Sequence, residues 1–259
     1  KAIVTTNFAV ENNFVDYASN LIDENIKKAD IVSLCTPVLQ IVPMVEKILP
    51  YLKPDAILTD VGSTKGFIWS KLKQILPHDI DYVAGHPMTG SEQSGIKAAN
   101  AELFRNKGYI LIPQTAKKEK SVKLVNELLK VTGANITTMG IEEHDAVAAV
   151  ISHVPHVVAA GLVNILGSAE TDVDNKLKLA GGGFKDTTRI ASSNSDMWAD
   201  ICISNADNII IELEKLQTEI TGVITDIKNN DRDNIYNYFY KAKCRRDKLI
   251  DAANRILQK

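Results

Sequence analysis

Short apolar runs alternate with longer amphipathic stretches over the first 140 residues of the chain. β-branched residues cluster in these runs, which predicts strands at Ile31–Cys35, Ala56–Val61, Tyr82–Gly85, Gly108–Ile112 and Asn135–Met139. Strands separated by helical stretches are typical of βαβ units and of a mostly parallel sheet. The pattern therefore predicts an α/β domain over residues 1–140.

The strand pattern stops at Ile141, and the rest of the chain is predicted to form helices broken at Gly181–Gly183. This indicates a second, all-α domain over residues 141–259. Apolar residues at alternating steps of four and three form a seam of the coiled-coil type, which consists of Ile209, Leu213, Leu216, Ile220, Val223 and Ile227. Such a seam packs either within one subunit or against a second subunit, and the sequence leaves both open.

Composition restricts the partners and the cellular compartment. The 30 basic and 32 acidic residues give a net charge of −2, which provides no general attraction for nucleic acid or an anionic membrane. Cys35, Cys202 and Cys244 are far apart and lack metal-binding spacing, so we expect no metal site and a reducing cytoplasm. No run approaches the roughly 20 apolar residues of a membrane span, so we expect neither export nor anchoring.

The glycine-rich fingerprint of dinucleotide-binding domains is missing. Such domains open with Gly-x-Gly-x-x-Gly between a strand and a helix, because glycines let backbone amides approach a pyrophosphate. Here the first glycine is Gly62, and the chain starts with Lys1 instead of Met. We expect that the first βαβ unit lies upstream of Lys1, the alternative being that the protein binds no dinucleotide. The residue that selects NAD over NADP is not identifiable.

Candidate chemistry lies where the predicted strands end, since ligands bind at the carboxyl ends of parallel strands. His86 follows the third strand within a loop of small and polar residues, Gly85–Glu92, and its near-neutral pKa suits it to accept a proton. Thr36 and Pro37 follow the first strand. Ser63 follows the second, where it either caps the next helix or binds a ligand.

Two segments of the helical domain also suit ligand binding. His153 and His156 flank Val154-Pro155 on an apolar stretch. No nearby carboxylate or cysteine completes a set of metal ligands, which favours polar contact with a substrate over a metal site. For His153 the alternative is a histidine of the core. Gly181–Gly183 permit close backbone approach to a ligand, and the guanidinium of Arg189 suits a carboxylate. A surface arginine after a turn between helices is an equal alternative for Arg189.

Together these motifs resemble the prephenate dehydrogenase family over nearly the whole chain. The motifs on which the resemblance rests occur in the same order as in the family. They are Ala29–Val32 with Thr36-Pro37, Asp60–Ser63, Gly85–Glu92, Ser152–His156, and Gly181–Asp186 before Arg189. The resemblance implies a Rossmann-type domain followed by a helical domain that forms a homodimer. It also implies oxidative decarboxylation of prephenate to 4-hydroxyphenylpyruvate in tyrosine biosynthesis, with hydride transfer to NAD, or to NADP as the other option.

The resemblance further implies roles for individual residues. His86 is expected to accept the proton of the ring hydroxyl, Ser63 to bind near this histidine and the cofactor, and Arg189 to hold a substrate carboxylate. The remaining expected contacts are Glu92, His156, Gly182 and Trp198 with the substrate, and Thr36 and Pro37 with the cofactor.

Three alternatives remain at this level. An arogenate dehydrogenase performs the same chemistry on a substrate with an amino acid side chain, and the sequence does not separate the two. A β-hydroxyacid dehydrogenase would use a lysine as proton carrier, for which Lys185 is the candidate. A non-catalytic dimeric binding module is disfavoured because His86, Ser63 and Arg189 are all present.

Overall fold

A computed structural model of the chain describes residues 2–90, 95–167 and 178–257. These residues belong to two compact units, Lys1–Ile209 and Ile210–Lys259. The first unit contains a five-stranded sheet with spatial order β1-β2-β3-β4-β5. Its strands are β1 Ile31–Leu34, β2 Ile57–Asp60, β3 Asp81–Pro87, β4 Gly108–Ile112 and β5 Asn135–Thr138.

The described residues form ten α-helices. They are α1 Ala2–Glu11, α2 Val38–Ile48, α3 Gly66–Ile75, α4 Glu119–Lys130, α5 Ile141–Ala148, α6 Val154–Gly167, α7 Gly182–Thr188, α8 Ser195–Ser204, α9 Ala206–Lys228 and α10 Arg232–Leu257. A π-helical turn, Ala149–His153, joins α5 to α6. Such turns often occur at functional sites.

All five predicted strands are present within two residues of their predicted ends. The sheet is mixed, because β3 and β4 pair antiparallel while the other three pairings are parallel. A parallel pair needs a crossover connection, which is usually an α-helix. Among the described residues between β3 and β4, only two short 3₁₀ turns occur, Ile96–Ala98 and Ala101–Phe104. The chain therefore returns antiparallel at this point.

The sheet core follows the two-residue alternation of strand side chains. On one face, Leu58 and Tyr82 pack with residues of α2 and α3. On the other face, Ile57 and Val83 pack with Val125 of α4. Because β2 and β3 are covered on both sides, a polar residue at their carboxyl ends lies close to a dry interior.

The predicted apolar seam lies on α9. Ile209 is buried, and the other five seam residues are half-buried or exposed, with Ile220 at 44% and Ile227 at 58% exposure. Residues of α9 and α10 line a groove of about 740 Å³ within the second unit. The seam is therefore not fully covered by the residues that the structure describes.

One helical stretch, Ile141–Gly167, is long and apolar enough to cross a membrane by length and composition alone. The expectation that no apolar run approaches this length is therefore wrong. His144, Asp145 and His153 of this stretch are buried among other residues of the first unit. The side of the stretch that carries these three residues therefore packs in the core of the first unit through polar contacts.

Candidate active site

His86 lies near the carboxyl end of β3 and is 7% exposed. The predicted strand stopped at Gly85, which placed His86 on the following loop. In the structure β3 continues through Pro87, because β4 pairs beside it with His86 opposite Ile110. The sheet therefore holds the backbone of His86 in place.

A chain of two hydrogen bonds runs from His86 to a carboxylate on α5. Nδ1 of His86 lies 2.8 Å from Nε2 of His144. Nδ1 of His144 lies 2.8 Å from Oδ1 of Asp145. Among the described residues, the His86 ring makes its hydrogen bond through Nδ1 alone. The Nε2 atom is therefore the ring nitrogen left for a ligand.

The surroundings of His86 favour its neutral form. Burial lowers the pKa of His86 well below its ordinary value, and the positive charge of Lys65 lowers it further, followed by His144 and His153. At neutral pH the imidazole is therefore unprotonated on one nitrogen. A buried base in this state has a lone pair ready to accept a proton.

Asp60 and Lys65 form a buried ion pair next to the backbone of His86. Nζ of Lys65 donates to Oδ2 of Asp60 at 2.5 Å and to the carbonyl oxygen of Gly85 at 2.6 Å. The hydroxyl of Tyr82 donates to Oδ1 of Asp60 at 2.8 Å, and the amide of Gly62 donates to Oδ2 at 2.9 Å. The pair is thus satisfied by several partners, as buried charges require.

Gly85 is required by close packing. A Cβ atom at this position would lie 2.9 Å from the carbonyl oxygen of Asp60 and 2.9 Å from the ring of Tyr109. Any side chain would push β3 away from β2 directly before His86. The glycine that precedes the histidine is therefore part of the packing between the strands.

Asp145 also holds the start of α3. Its two carboxylate oxygens accept hydrogen bonds from the backbone amides of Lys65 at 2.8 Å and Gly66 at 2.7 Å. Capping by Ser63 was the alternative to a ligand-binding role for that residue, and the structure assigns the capping contacts to Asp145 instead. Ser63 is half-buried in the loop that precedes these amides.

A second group of rings lies on the π-helical turn, α6 and α8. His153 is fully buried, and its Nδ1 lies 3.1 Å from Nδ2 of Asn205. Burial lowers the pKa of His153 to about 4. His156 stacks on Trp198 with ring centroids 3.7 Å apart, and its Nδ1 donates to the carbonyl oxygen of Ser152 at 2.8 Å.

Two buried donors next to each other lack partners in the described chain. Nε2 of His153 and Nε1 of Trp198 have no hydrogen-bond partner, and their rings are 6.0 Å apart. The amide of Asn205 donates both to Asp145 O and toward Nδ1 of His153, which places the His153 proton on Nε2. Both orphan atoms are therefore N–H donors that suit an acceptor such as a carbonyl or carboxylate oxygen.

A cavity of about 450 Å³, a volume suited to a small molecule, is lined in part by the rings of His156 and Trp198. Its walls are formed by α6, by the 3₁₀ turn Arg189–Ser192 with the residues after it, and by α8, and include His156, Asn164, Ile190, Ser193, Trp198 and Cys202. Burial lowers the pKa of His156, its bond to Ser152 raises it, and the charge of Arg189 lowers it. Arg189, an exposed residue at the end of α7, is thus electrostatically coupled to this wall.

Comparison with known proteins identifies the family. Residues 4–138 match the family description "Prephenate dehydrogenase, nucleotide-binding domain", and residues 141–241 match "Prephenate dehydrogenase, dimerization domain". The chain belongs to the prephenate dehydrogenase family. Prephenate dehydrogenase of Bacillus subtilis is 38% identical over 93% of this chain, which spans 65% of the length of that relative.

Solved structures of the prephenate dehydrogenase family have the same fold. The Aquifex aeolicus prephenate dehydrogenase in complex with hydroxyphenyl propionate and NAD+ is 32% identical, with a TM-score of 0.86 over 94% of this chain and 85% of that one. The Synechocystis arogenate dehydrogenase is 29% identical, with a TM-score of 0.79 over 95% and 88% of the two chains. The Rossmann-like domain with a following helical domain is thereby confirmed.

In this member of the prephenate dehydrogenase family, the other predicted site residues that the structure describes lie in two places. Thr36 and Pro37 lie between β1 and α2, and Oγ1 of Thr36 is buried without a partner in the described residues. Gly182 is exposed at the start of α7. Glu92 lies outside the described residues. Lys185, the candidate of the β-hydroxyacid alternative, is exposed on α7.

Sequence reasoning missed His144, Asp145 and Asn205. A signal was present in α5, where Ile141, His144, Asp145 and Ala148 share one buried face at helical spacing. Polar residues on the apolar face of a helix must find buried partners, so they mark a polar contact. No group of three His, Cys, Asp or Glu residues that could hold a metal occurs within residues 2–90, 95–167 and 178–257.

Proposed function

We propose that this protein is an NAD-dependent prephenate dehydrogenase that converts prephenate to 4-hydroxyphenylpyruvate and carbon dioxide. The observation that carries the proposal is His86, a buried neutral imidazole at a strand end with Nδ1 bound to His144. Its Nε2 is then the acceptor for the proton of the ring hydroxyl. Membership in the family supports the same reaction.

The proton transfer is the step that this chain performs. As Nε2 of His86 takes the hydroxyl proton, the carbon that bears the hydroxyl becomes a carbonyl carbon and releases hydride. The bond to the ring carboxylate then breaks, carbon dioxide leaves, and the electron pair of that bond moves through the ring to the carbonyl oxygen, which regains a proton. The ring thereby becomes aromatic, which drives the reaction forward. The protein therefore needs to supply orientation, a base and charge recognition.

The residues present fit the nicotinamide end of the cofactor. Bound NAD supplies the hydride acceptor. Parallel strands β1 and β2 end at one edge of the sheet, where Thr36, Pro37 and Ser63 follow them. The hydroxyl of Thr36, which is buried without a hydrogen-bond partner among the described residues, suits a hydrogen bond to the cofactor. The first glycine of the sequence is Gly62, so no residue of this chain is assigned to the pyrophosphate.

Substrate recognition is assigned to the helical part of the first unit. Arg189 would hold a substrate carboxylate through its planar guanidinium. His156 and Trp198 form one wall of the 450 Å³ cavity and would bind the side chain of the substrate. Gly182 would offer its backbone, and Glu92 is proposed for the same pocket on the family resemblance alone.

We assign a homodimer to the helical domain, 141–259, with 1–140 as the nucleotide-binding domain. Three observations support this: the match of residues 141–241 to a dimerisation domain, the half-exposed seam on α9, and apolar side chains exposed on Ile141–Gly167. A second copy would remove these apolar surfaces from water. The three free cysteines agree with the reducing cytoplasm as the proposed location.

The test is a spectrophotometric assay of the complete protein that carries these residues. Prephenate and arogenate are each offered with NAD and with NADP, and absorbance is followed at 340 nm. We expect reduction of NAD with prephenate. Activity with arogenate alone would instead assign the arogenate reaction, which the likeness to the Synechocystis arogenate dehydrogenase keeps as second candidate. If folded protein reduces neither dinucleotide with either substrate, the dehydrogenase assignment is refuted.

A further inference from the structure

We propose that Asp145 is a positioning residue whose carboxylate, acting through His144, fixes the proton of His86 on Nδ1 and leaves Nε2 as the acceptor. This inference rests on the proposed role of His86 as the base. It assigns a reaction-related role to two residues of α5 that no sequence motif indicated.

The donors around Asp145 require it to act as an acceptor at both oxygens. The backbone amides of Lys65 and Gly66 can only donate, and they approach Oδ1 and Oδ2 at 2.8 and 2.7 Å. Oδ1 also lies 2.8 Å from Nδ1 of His144. An ionised carboxylate accepts all three hydrogen bonds, and the two backbone amide donors favour this charged form. Nδ1 of His144 therefore carries a proton.

The direction of the first hydrogen bond determines the next one. With its proton on Nδ1, neutral His144 presents an unprotonated Nε2. Nδ1 of His86 lies 2.8 Å from this atom, so His86 is the donor in that contact. A neutral imidazole has only one N–H, and Nε2 of His86 is then the lone-pair nitrogen. The carboxylate of Asp145 thus determines which nitrogen of His86 can take a proton.

Burial makes this arrangement specific. His144 and Asp145 are buried together with His86, so water does not readily replace a missing partner. The amide of Asn205 donates to the backbone carbonyl oxygen of Asp145 at 2.8 Å and holds this part of α5 in place. The same carboxylate anchors the amides that follow Ser63. One side chain therefore positions both the base and the loop that carries Ser63.

The first test is made on the wild-type protein. Two-bond ¹⁵N–¹H correlation spectra of the histidine rings at neutral pH report which nitrogen carries the proton. We expect Nδ1–H for both His86 and His144, assigned with His86→Asn and His144→Phe. A proton on Nε2 of His86 would overturn the proposal. This measurement does not depend on turnover, so it remains decisive even if the assigned reaction proves wrong.

The second test uses Asp145→Asn, with Glu143→Gln as the matched control on the exposed side of the same helix. We expect Asp145→Asn to lower kcat about 100-fold and to change KM less than about threefold, because a wrong tautomer removes the base and leaves substrate contacts intact. The His86 proton should appear partly on Nε2. Glu143→Gln should match the wild type in both readouts.

Asp145→Glu restores a carboxylate and should regain part of kcat together with the Nδ1–H signal of His86. If Asp145→Asn keeps full kcat, or if kcat falls while His86 retains its wild-type tautomer, the proposed route through His144 is refuted. If this variant does not fold, the wild-type spectra still decide the question.

Discussion

Nζ of Lys65 lies 2.5 Å from Oδ2 of Asp60, and neither side chain is exposed to solvent. Burial lowers the pKa of Lys65, and the charge of Asp60 acts against this shift. A buried ion pair of this kind contributes little more to the stability of the fold than packed apolar residues would, but removal of one partner leaves an uncompensated buried charge. The pair therefore makes the region beside His86 sensitive to single substitutions.

We expect Asp60→Asn to lower the free energy of unfolding by about 3–5 kcal/mol, because Lys65 would keep a buried charge without a counter-ion. Urea denaturation measures this change. The control is Asp30→Asn, which removes the partner of Lys53 in an ion pair whose Asp30 side chain is 89% exposed. That variant should change the value by at most about 1 kcal/mol. Equal effects of the two variants would contradict this account.

The buried His153 predicts a loss of stability at acidic pH. Its pKa of about 4 in the folded protein lies below the value of about 6.5 in an unfolded chain, so the unfolded state binds more protons between these values. The contribution is present above pH 6.5 and is lost as the pH falls toward 4. At pH 5 the loss of unfolding free energy relative to pH 7 amounts to about 2 kcal/mol.

Urea denaturation at pH 7 and pH 5 checks this prediction with His153→Gln. The variant should lose about 2 kcal/mol less than the wild type between the two pH values. His78→Gln, which replaces an exposed histidine, is the control and should lose as much as the wild type. A pH dependence unaffected by His153→Gln would show that another group is responsible.

Arg189→Gln tests the proposed carboxylate contact. Loss of a charge-assisted hydrogen bond should raise KM about 10- to 100-fold, with a smaller change in kcat. Steady-state kinetics with prephenate measures both constants. Arg246→Gln, an exposed arginine of α10, serves as control and should leave KM unchanged. Unaltered KM in Arg189→Gln would remove this residue from the binding site.

The sheet could be predicted from the sequence because its signals are local. β-branched runs bounded by turn residues placed every strand, and Gly108–Ile112 was predicted with both ends correct. The antiparallel pairing of β4 was missed, because it depends on the connection between β3 and β4 and not on the strand itself. The continuation of β3 through His86 was missed for the same reason, since it requires β4 as neighbour.

The site was predictable only in part. His86 was found because a strand-end histidine among glycines is a local feature. Its partners His144 and Asp145 lie 58 and 59 positions further along the chain. Nothing within α5 reveals that its polar residues meet β3. Such long-range contacts depend on how α5 packs against the sheet, and the sequence pattern does not contain that information.

The most direct test of the central claim compares His86→Asn with the wild type in two measurements, kcat and the dissociation constant for prephenate. The account predicts that kcat falls by about 10²- to 10⁴-fold while the dissociation constant changes less than about threefold, because the imidazole takes a proton and does not hold the substrate. His78→Asn, at an exposed position, should leave both values unchanged. If His86→Asn retained most of the wild-type kcat, His86 would not be the base.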